Sequence, residues 1–273
     1  MARSKSYRGP YEDFGGNPLL AENEFWRCMG HGTFAESINS KFIYLYHAYN
    51  KKENIFGGRQ GMIAELIWPG KNSWPVLNAQ SGSAENPNIN LTFNRPLTEK
   101  FWQWDFRNSS PTISQLDGNI HLSGRISAGN LSGIALTVRP VSAHFEVSTE
   151  VVNINTALKG LVYYGDAGAA VGLGVADNKV VFWKVKDKKL NIARSTNLRE
   201  KGPVRLKMKT SADLSIQAYY KIGAQNWKKL EAYNPIDVSF LPQWDRSPRV
   251  GLNFNGTQKQ KASFSFFKLD YIP

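Results

Sequence analysis

From residue 96 to the end of the chain, apolar and polar positions alternate in short runs. The runs are "GNIHLSGRI", "GIALTVRPV", "AHFEVSTEVVNI", "KGLVYYGD", "AVGLGVAD", "KVVFWKVKD", "VRLKMKTSADLSIQAYYKI", "RVGLNFNGT" and "KASFSFFKLDYI". Period-two alternation marks strands, and turn residues separate these at intervals of about 8–12 positions, the spacing of an all-β sandwich. "SAD" and "ADNK" read as hairpin turns. Residues 1–78 have a different texture: short apolar runs such as "KFIYLYHAY" and "GMIAELIWPG" sit among dense turn clusters. Between the two, "AQSGSAENPNINLTFNRP" is rich in Ser, Asn, Gly and Pro, so residues 79–95 are predicted to be a linker. No amphipathic helix and no heptad pattern is evident, and the second part carries no internal repeat of propeller type.

Composition agrees with a folded chain. The 273 residues include 15 Phe, 11 Tyr and 8 Trp, enough for a substantial core. No run approaches the roughly 18 apolar residues of a membrane span, so no membrane association is expected. "MARSKSYRGPYE" has no apolar segment behind its basic residues, so no secretory signal is read there. Cys28 is the only cysteine, which removes internal disulfides and cysteine-rich metal sites from consideration. The formal charge of +12 is concentrated between Lys179 and Lys209, where eleven Lys and Arg face two acids. Lys184, Lys186 and Lys188 alternate with Trp183 and Val185, and Arg205, Lys207 and Lys209 with Leu206 and Met208. That pattern predicts a solvated basic sheet face; attraction to acidic polysaccharide is the open alternative. No nucleic-acid motif accompanies it, and no nucleic-acid partner is expected.

Self-contained catalytic motifs are missing: no G-x-S-x-G, H-E-x-x-H, phosphate loop or Cys/His cluster occurs. "GLGVAD" has only loosely dinucleotide-like glycines and no helix after it. Sequons stand at Asn90, Asn108, Asn130 and Asn255, as chance allows in an Asn- and Ser-rich chain. Two constellations in the first part carry more. "CMGHGTFAE" sets His31 between glycines, where bare backbone admits a ligand or ion; a histidine bonding a neighbouring carbonyl fits equally. "FGGRQG" sets Arg59 among glycines, offering a planar fork to hydroxyls, or serving as an ordinary surface arginine. Phe25, Trp26, Phe34 and Phe56 could stack on sugar rings in a carbohydrate pocket, or pack in a core.

The ordered segments "RSKSYRGPYEDFGGNPLL", "GHGTFAE", "FIYLYHAY" and "GGRQGMIAELIWPGKNSWPVLN" resemble the last part of the five-bladed propeller of glycoside hydrolase family 43. "LVYYGDAGAAVGLGV" and the closing "SFSFFKLDYI" resemble, more loosely, the concanavalin-like (jelly-roll) sandwich appended to many β-xylosidases and α-L-arabinofuranosidases of that family. The resemblance implies an all-β chain: a partial five-bladed propeller over 1–78, the linker, and a β-sandwich over 96–273. It also implies inverting chemistry with a base and an acid about 6.5–9.5 Å apart and a third, tuning carboxylate. In the family all three precede the "GPYE" segment, so none falls among these residues. His31 matches the histidine near the propeller axis, linked to a calcium ion or its waters in the complete propeller. Arg59 matches the arginine that contacts the glycone sugar, and Phe34 is placed with them as a substrate-binding residue. Glu12 and Glu36 match no catalytic position and are read as structural.

The expectation is therefore an incomplete propeller of about two blades with an exposed apolar flank, inactive alone, followed by a sandwich that folds by itself. Its partners are an oligosaccharide and the missing blades. The alternative is a non-catalytic carbohydrate-binding or structural module. Extracellular or periplasmic location is typical of the resembled family; the compartment stays open.

Overall fold

A computed structural model describes residues 1–53, 55–79, 88–97, 100–142, 144–211, 213–233, 236–242 and 246–272. Every regular element among them is a strand. The chain divides into two compact units, Met1–Glu85 and Asn86–Pro273. Residues 80–87 of the expected linker lie outside the described residues.

The first unit contains β1 (Ala2–Arg3), β2 (Glu12–Asp13), β3 (Trp26–Glu36), β4 (Phe42–Asn50), β5 (Arg59–Ile67) and β6 (Val76–Ala79). β1 and β2 form a two-stranded ribbon, and β3 to β6 form an antiparallel meander in sequence order. The described residues of this unit supply one four-stranded sheet and a ribbon. Arg3 ties the ribbon down: its guanidinium bonds Glu12 at 2.9 Å and the Asn72 carbonyl at 2.9 Å, and it lies 4.2 Å from the Trp74 ring centroid. Glu12 is engaged in this exposed ribbon contact.

The second unit contains β7 (Ile89–Thr92), β8 (Ser109–Leu116), β9 (Asn119–Ile126), β10 (Ile134–Val138), β11 (Phe145–Val151), β12 (Leu158–Asp166) and β13 (Ala169–Ala176). It continues with β14 (Lys179–Lys186), β15 (Lys189–Asn197), β16 (Val204–Thr210), β17 (Ile216–Ile222), β18 (Lys228–Lys229), β19 (Arg249–Asn255) and β20 (Ala262–Tyr271). Two antiparallel sheets stack: β10-β19-β12-β13-β14-β15, and β18-β17-β16-β11-β20-β9-β8 with β7 also on β20. β7 falls within the stretch predicted to be linker. Its polar composition concealed it, because Leu91 and Ile89 pair with Phe267 and Leu269 of β20 while Asn90 is left exposed.

β11 and β16 follow the alternation rule. Phe145, Val147, Thr149 and Val151, opposite Val204, Leu206, Met208 and Thr210, are buried in alternate positions. Their outward neighbours pair in kind, Glu150 with Arg205 at 2.8 Å and Glu146 with Lys207 at 3.5 Å. Such half-exposed pairs contribute only tenths of a kcal/mol. β14 departs from the rule. Val180 and Phe182, on the same face as Lys184, are buried, and so are Val181, Trp183 and Val185 on the other, as in its neighbour β13 and in β12, β19 and β10 beyond it, which are buried on both faces. The basic surplus of 179–209 is accordingly split between two sheets rather than gathered on one face.

The double burial explains the glycines of "AVGLGVAD". Ala135, Val162, Tyr164, Ala170, Val181, Trp183 and Val185 form a buried cluster. A Cβ at Gly172 would stand 2.2 Å from the Trp183 ring, so glycine there makes room for the indole. The 101–108 loop joins this cluster through Tyr164, whose hydroxyl donates to Asp105 Oδ2 at 2.8 Å. Between the sheets, Tyr163 donates to the Met208 carbonyl at 3.3 Å and accepts from Thr210 at 3.1 Å. Asp177 and Asn178, both with φ near +50°, make the "ADNK" hairpin. Ala212 of "SAD" lies outside the described residues. Asn130 is buried and donates to the Asn108 and Gly133 carbonyls, so that sequon serves the fold.

Candidate functional site

His31 sits on β3 where its pairing with β4 is interrupted twice, between Arg27 and Gly30 and between Gly30 and Thr33. Its φ of +46° is left-handed, and the extra residues turn the chain so that the exposed imidazole comes 5.9 Å, centroid to centroid, from His47 of β4. Gly32 is required beside it: a Cβ there would meet the Leu45 carbonyl oxygen at 2.1 Å. His47 in turn meets Tyr49 edge-on at 6.1 Å. Arg59, the first residue of β5, pairs with Tyr49 in the sheet register. Its Nε donates to the Tyr49 hydroxyl at 3.3 Å, with the guanidinium carbon 5.9 Å from the ring centroid. The two residues singled out in the sequence, 28 positions apart, are thus joined in a line, His31–His47–Tyr49–Arg59, along one face of the sheet.

His47 and Tyr49 were legible in "FIYLYHAY", since a period of two puts both on one side of β4. What no sequence pattern supplies is the neighbour across the strand. A shallow cavity of about 620 Å³ opens on this face, lined by His31, Thr33, Leu45, His47, Gly61 and Ile63 among others. Leu45 and Ile63 are 44% and 46% exposed, an unusual state for facing apolar residues in the middle of a sheet.

Phe34 lies on the opposite face. It pairs in register with Tyr44, with ring centroids 4.7 Å apart, and Tyr44 stacks on Tyr46 at 5.4 Å. Phe34 therefore belongs to an aromatic ladder apart from the His31–Arg59 line. Burial, and then the neighbouring Tyr44, raises the Tyr46 phenol above its usual pKa, so it stays neutral. Of the other aromatics, Phe56 is fully buried, which makes it a core residue rather than a stacking platform. Phe25 is exposed, with the Lys52 ammonium 5.8 Å from its centroid.

Calcium takes six to eight oxygen ligands, carboxylates foremost. The face around His31 offers imidazoles and the Thr33 hydroxyl, and no group of three His, Cys, Asp or Glu side chains converges among the described residues. These residues do not by themselves fit a calcium ion. What His31 can do is donate or accept a hydrogen bond to a water held by other ligands.

A four-stranded antiparallel sheet followed in the chain by a two-sheet sandwich is a fold shared, along nearly the whole of this chain, with part of solved glycoside hydrolase family 43 structures. It is similar to the GH43 BlXynB protein from Bacillus licheniformis, at a TM-score of 0.75 and 18% identity over 99% of this chain. It is also similar to xylan β-1,4-xylosidase from Bacillus halodurans C-125, at 0.73 and 21% over 98%, and to GH43B of the Bacteroides ovatus xyloglucan locus, at 0.74 and 17% over 99%. The chain covers 59%, 59% and 60% of those three chains. No protein-family model and no curated protein sequence matches it. At these identities the likeness establishes the fold.

Proposed function

We propose that this chain is the C-terminal part of an inverting glycosidase acting on oligosaccharides derived from xylan or arabinan. The observation that carries the reading is the His31–His47–Tyr49–Arg59 line beside an uncovered, partly apolar sheet face. In this reading neighbouring blades cover Leu45 and Ile63 and bring the acid, the base and the third carboxylate opposite the line. Arg59, oriented by Tyr49, contacts the sugar hydroxyls with its planar fork. His31 would be placed to exchange a hydrogen bond with a water held by ligands outside this chain. The similarity in fold to xylosidases supports the substrate class, and the share of their length that the chain spans supports a division of the catalytic groups.

Positioned acid and base catalysis each contribute about 10²–10⁴ in rate, so the 273 residues alone are expected not to hydrolyse glycosides measurably. The test is turnover of aryl β-xylosides and aryl α-L-arabinofuranosides by the purified chain, alone and co-produced with the polypeptide encoded immediately upstream. Activity of the chain alone overturns the division of labour. Failure of the joined parts to hydrolyse either substrate overturns the glycosidase reading.

A further inference from the structure

The second unit has a cavity of its own, about 520 Å³, at one end of the sandwich. The β12–β13 turn, the β14–β15 turn and the 105–108 turn meet there, with Phe240 and Arg246. Its size is that of a site for one or two sugar units. Three carboxylates line it, but two are already committed. Asp105 accepts from Tyr164 at 2.8 Å, Asn108 Nδ2 at 2.9 Å and the Arg107 amide at 3.2 Å. Asp166 accepts from the Gly168 amide at 2.8 Å and lies 4.0 Å from Arg246. Four cations, Arg107, Lys186, Lys188 and Arg246, stand around it, all exposed. Lys186 holds its ammonium 5.3 Å from the Phe240 centroid, at the aromatic wall. Asp187 and Lys188, with φ of +52° and +57°, form a tight two-residue turn that carries Lys188 to the rim.

Asp105 and Asp166 on the floor are thus charges held by the protein's own donors, Asp187 lies in the turn between Lys186 and Lys188, the wall is aromatic, and the four cations of the rim outnumber the three carboxylates. We propose that this cleft binds an acidic sugar, a uronate unit carried on a polysaccharide. Its ring lies against Phe240, its hydroxyls reach the polar floor, and its carboxylate meets the Arg107, Lys186, Lys188 and Arg246 rim. Lys186 and Lys188 belong to the basic segment whose attraction to acidic polysaccharide the sequence left open. The proposal deepens the carbohydrate reading of the preceding section by naming a ligand class, and it fails separately from it.

The test is calorimetric titration of the full chain with xylotriose bearing a glucuronate branch, with plain xylotriose and with inorganic phosphate. At low salt the branched sugar is expected to bind about tenfold more tightly than the plain one, the equivalent of a pair of rim charges. Raising the salt to roughly 0.5 M should erase most of that preference, because the cations are exposed. Lys188→Glu, a change at a turn tip, should reduce binding of the branched sugar several-fold and leave plain xylotriose unaffected; Arg107→Glu, checked for a native circular dichroism spectrum, should do the same. Equal affinity for both sugars, absence of binding, displacement by equimolar phosphate, or indifference to both charge reversals each overturns the proposal. None of those outcomes bears on turnover by the completed enzyme.

Discussion

Lys159 is wholly buried at the start of β12, and its amine is held by the chain just before it. Nζ donates to Asn155 Oδ1 at 2.6 Å, to the Ala157 carbonyl at 3.0 Å and to the Asn155 carbonyl at 3.4 Å. Burial pushes its pKa down from 10.5 to about 8, against the smaller opposing pull of Asp177. A lysine whose native pKa is depressed binds fewer protons folded than unfolded between those two values, so stability rises with pH across that window. The full gap corresponds to about 3 kcal/mol, and the part recovered between pH 7.5 and 9.5 is about 2 kcal/mol. The perturbation is Lys159→Met, which keeps the stem and removes the charge. The measurement is the urea unfolding free energy of both proteins at several pH values up to about 9.5, below the range in which tyrosines titrate. Burial raises Tyr163 and Tyr164 well above their ordinary value, so their contribution is common to both proteins and opposite in sign at higher pH. Wild type is expected to gain about 2 kcal/mol relative to the variant over that interval. Loss of the amine's hydrogen bonds displaces the variant's curve at every pH and leaves the slope diagnostic. Parallel curves would refute the account of Lys159 as a charge held at a cost in the interior.

Gly172→Ala drives a methyl into the Trp183 ring and is expected to cost about 1–3 kcal/mol in urea unfolding, whereas Gly129→Ala, with open space around it, costs only its strained backbone, of order 1 kcal/mol. Burial raises the Asp105 carboxyl, but the hydrogen bonds from Asn108, Tyr164 and backbone amides outweigh it and hold the pKa below the usual range. Its stabilising effect is therefore present above about pH 4 and lost as acid protonates it. Tyr164→Phe should lower stability by about 1.5–3 kcal/mol at neutral pH and flatten the acid limb of the unfolding profile; an unchanged limb counts against the pairing. Leu45→Ser with Ile63→Ser should reduce dye binding and self-association of the chain, read by fluorescence and light scattering, if the open blade face is what makes it adhesive.

Period-two alternation by itself determined the all-β class and most sandwich strands, because strands such as β11 and β16 have one buried and one wet face. The motifs "CMGHGTFAE" and "FGGRQG" set His31 and Arg59 beside glycines. Alternation passed over β7, whose partners 174–180 positions away make a strand of a polar stretch, and it misjudged β14, where a wet face was read from lysines that follow two buried residues of the same face. Only the tertiary structure decided which aromatics pack and which stay exposed: Phe56 went to the core and Phe34 to the face opposite Arg59. Only it joined His31 to Arg59 through His47 and Tyr49, and gathered Asp105, Asp166, Lys188 and Phe240 around one cleft. The physical reason is the same in each case. Alternation is a property of one strand, whereas a site is made by register and turn geometry, which bring together residues that no local pattern links.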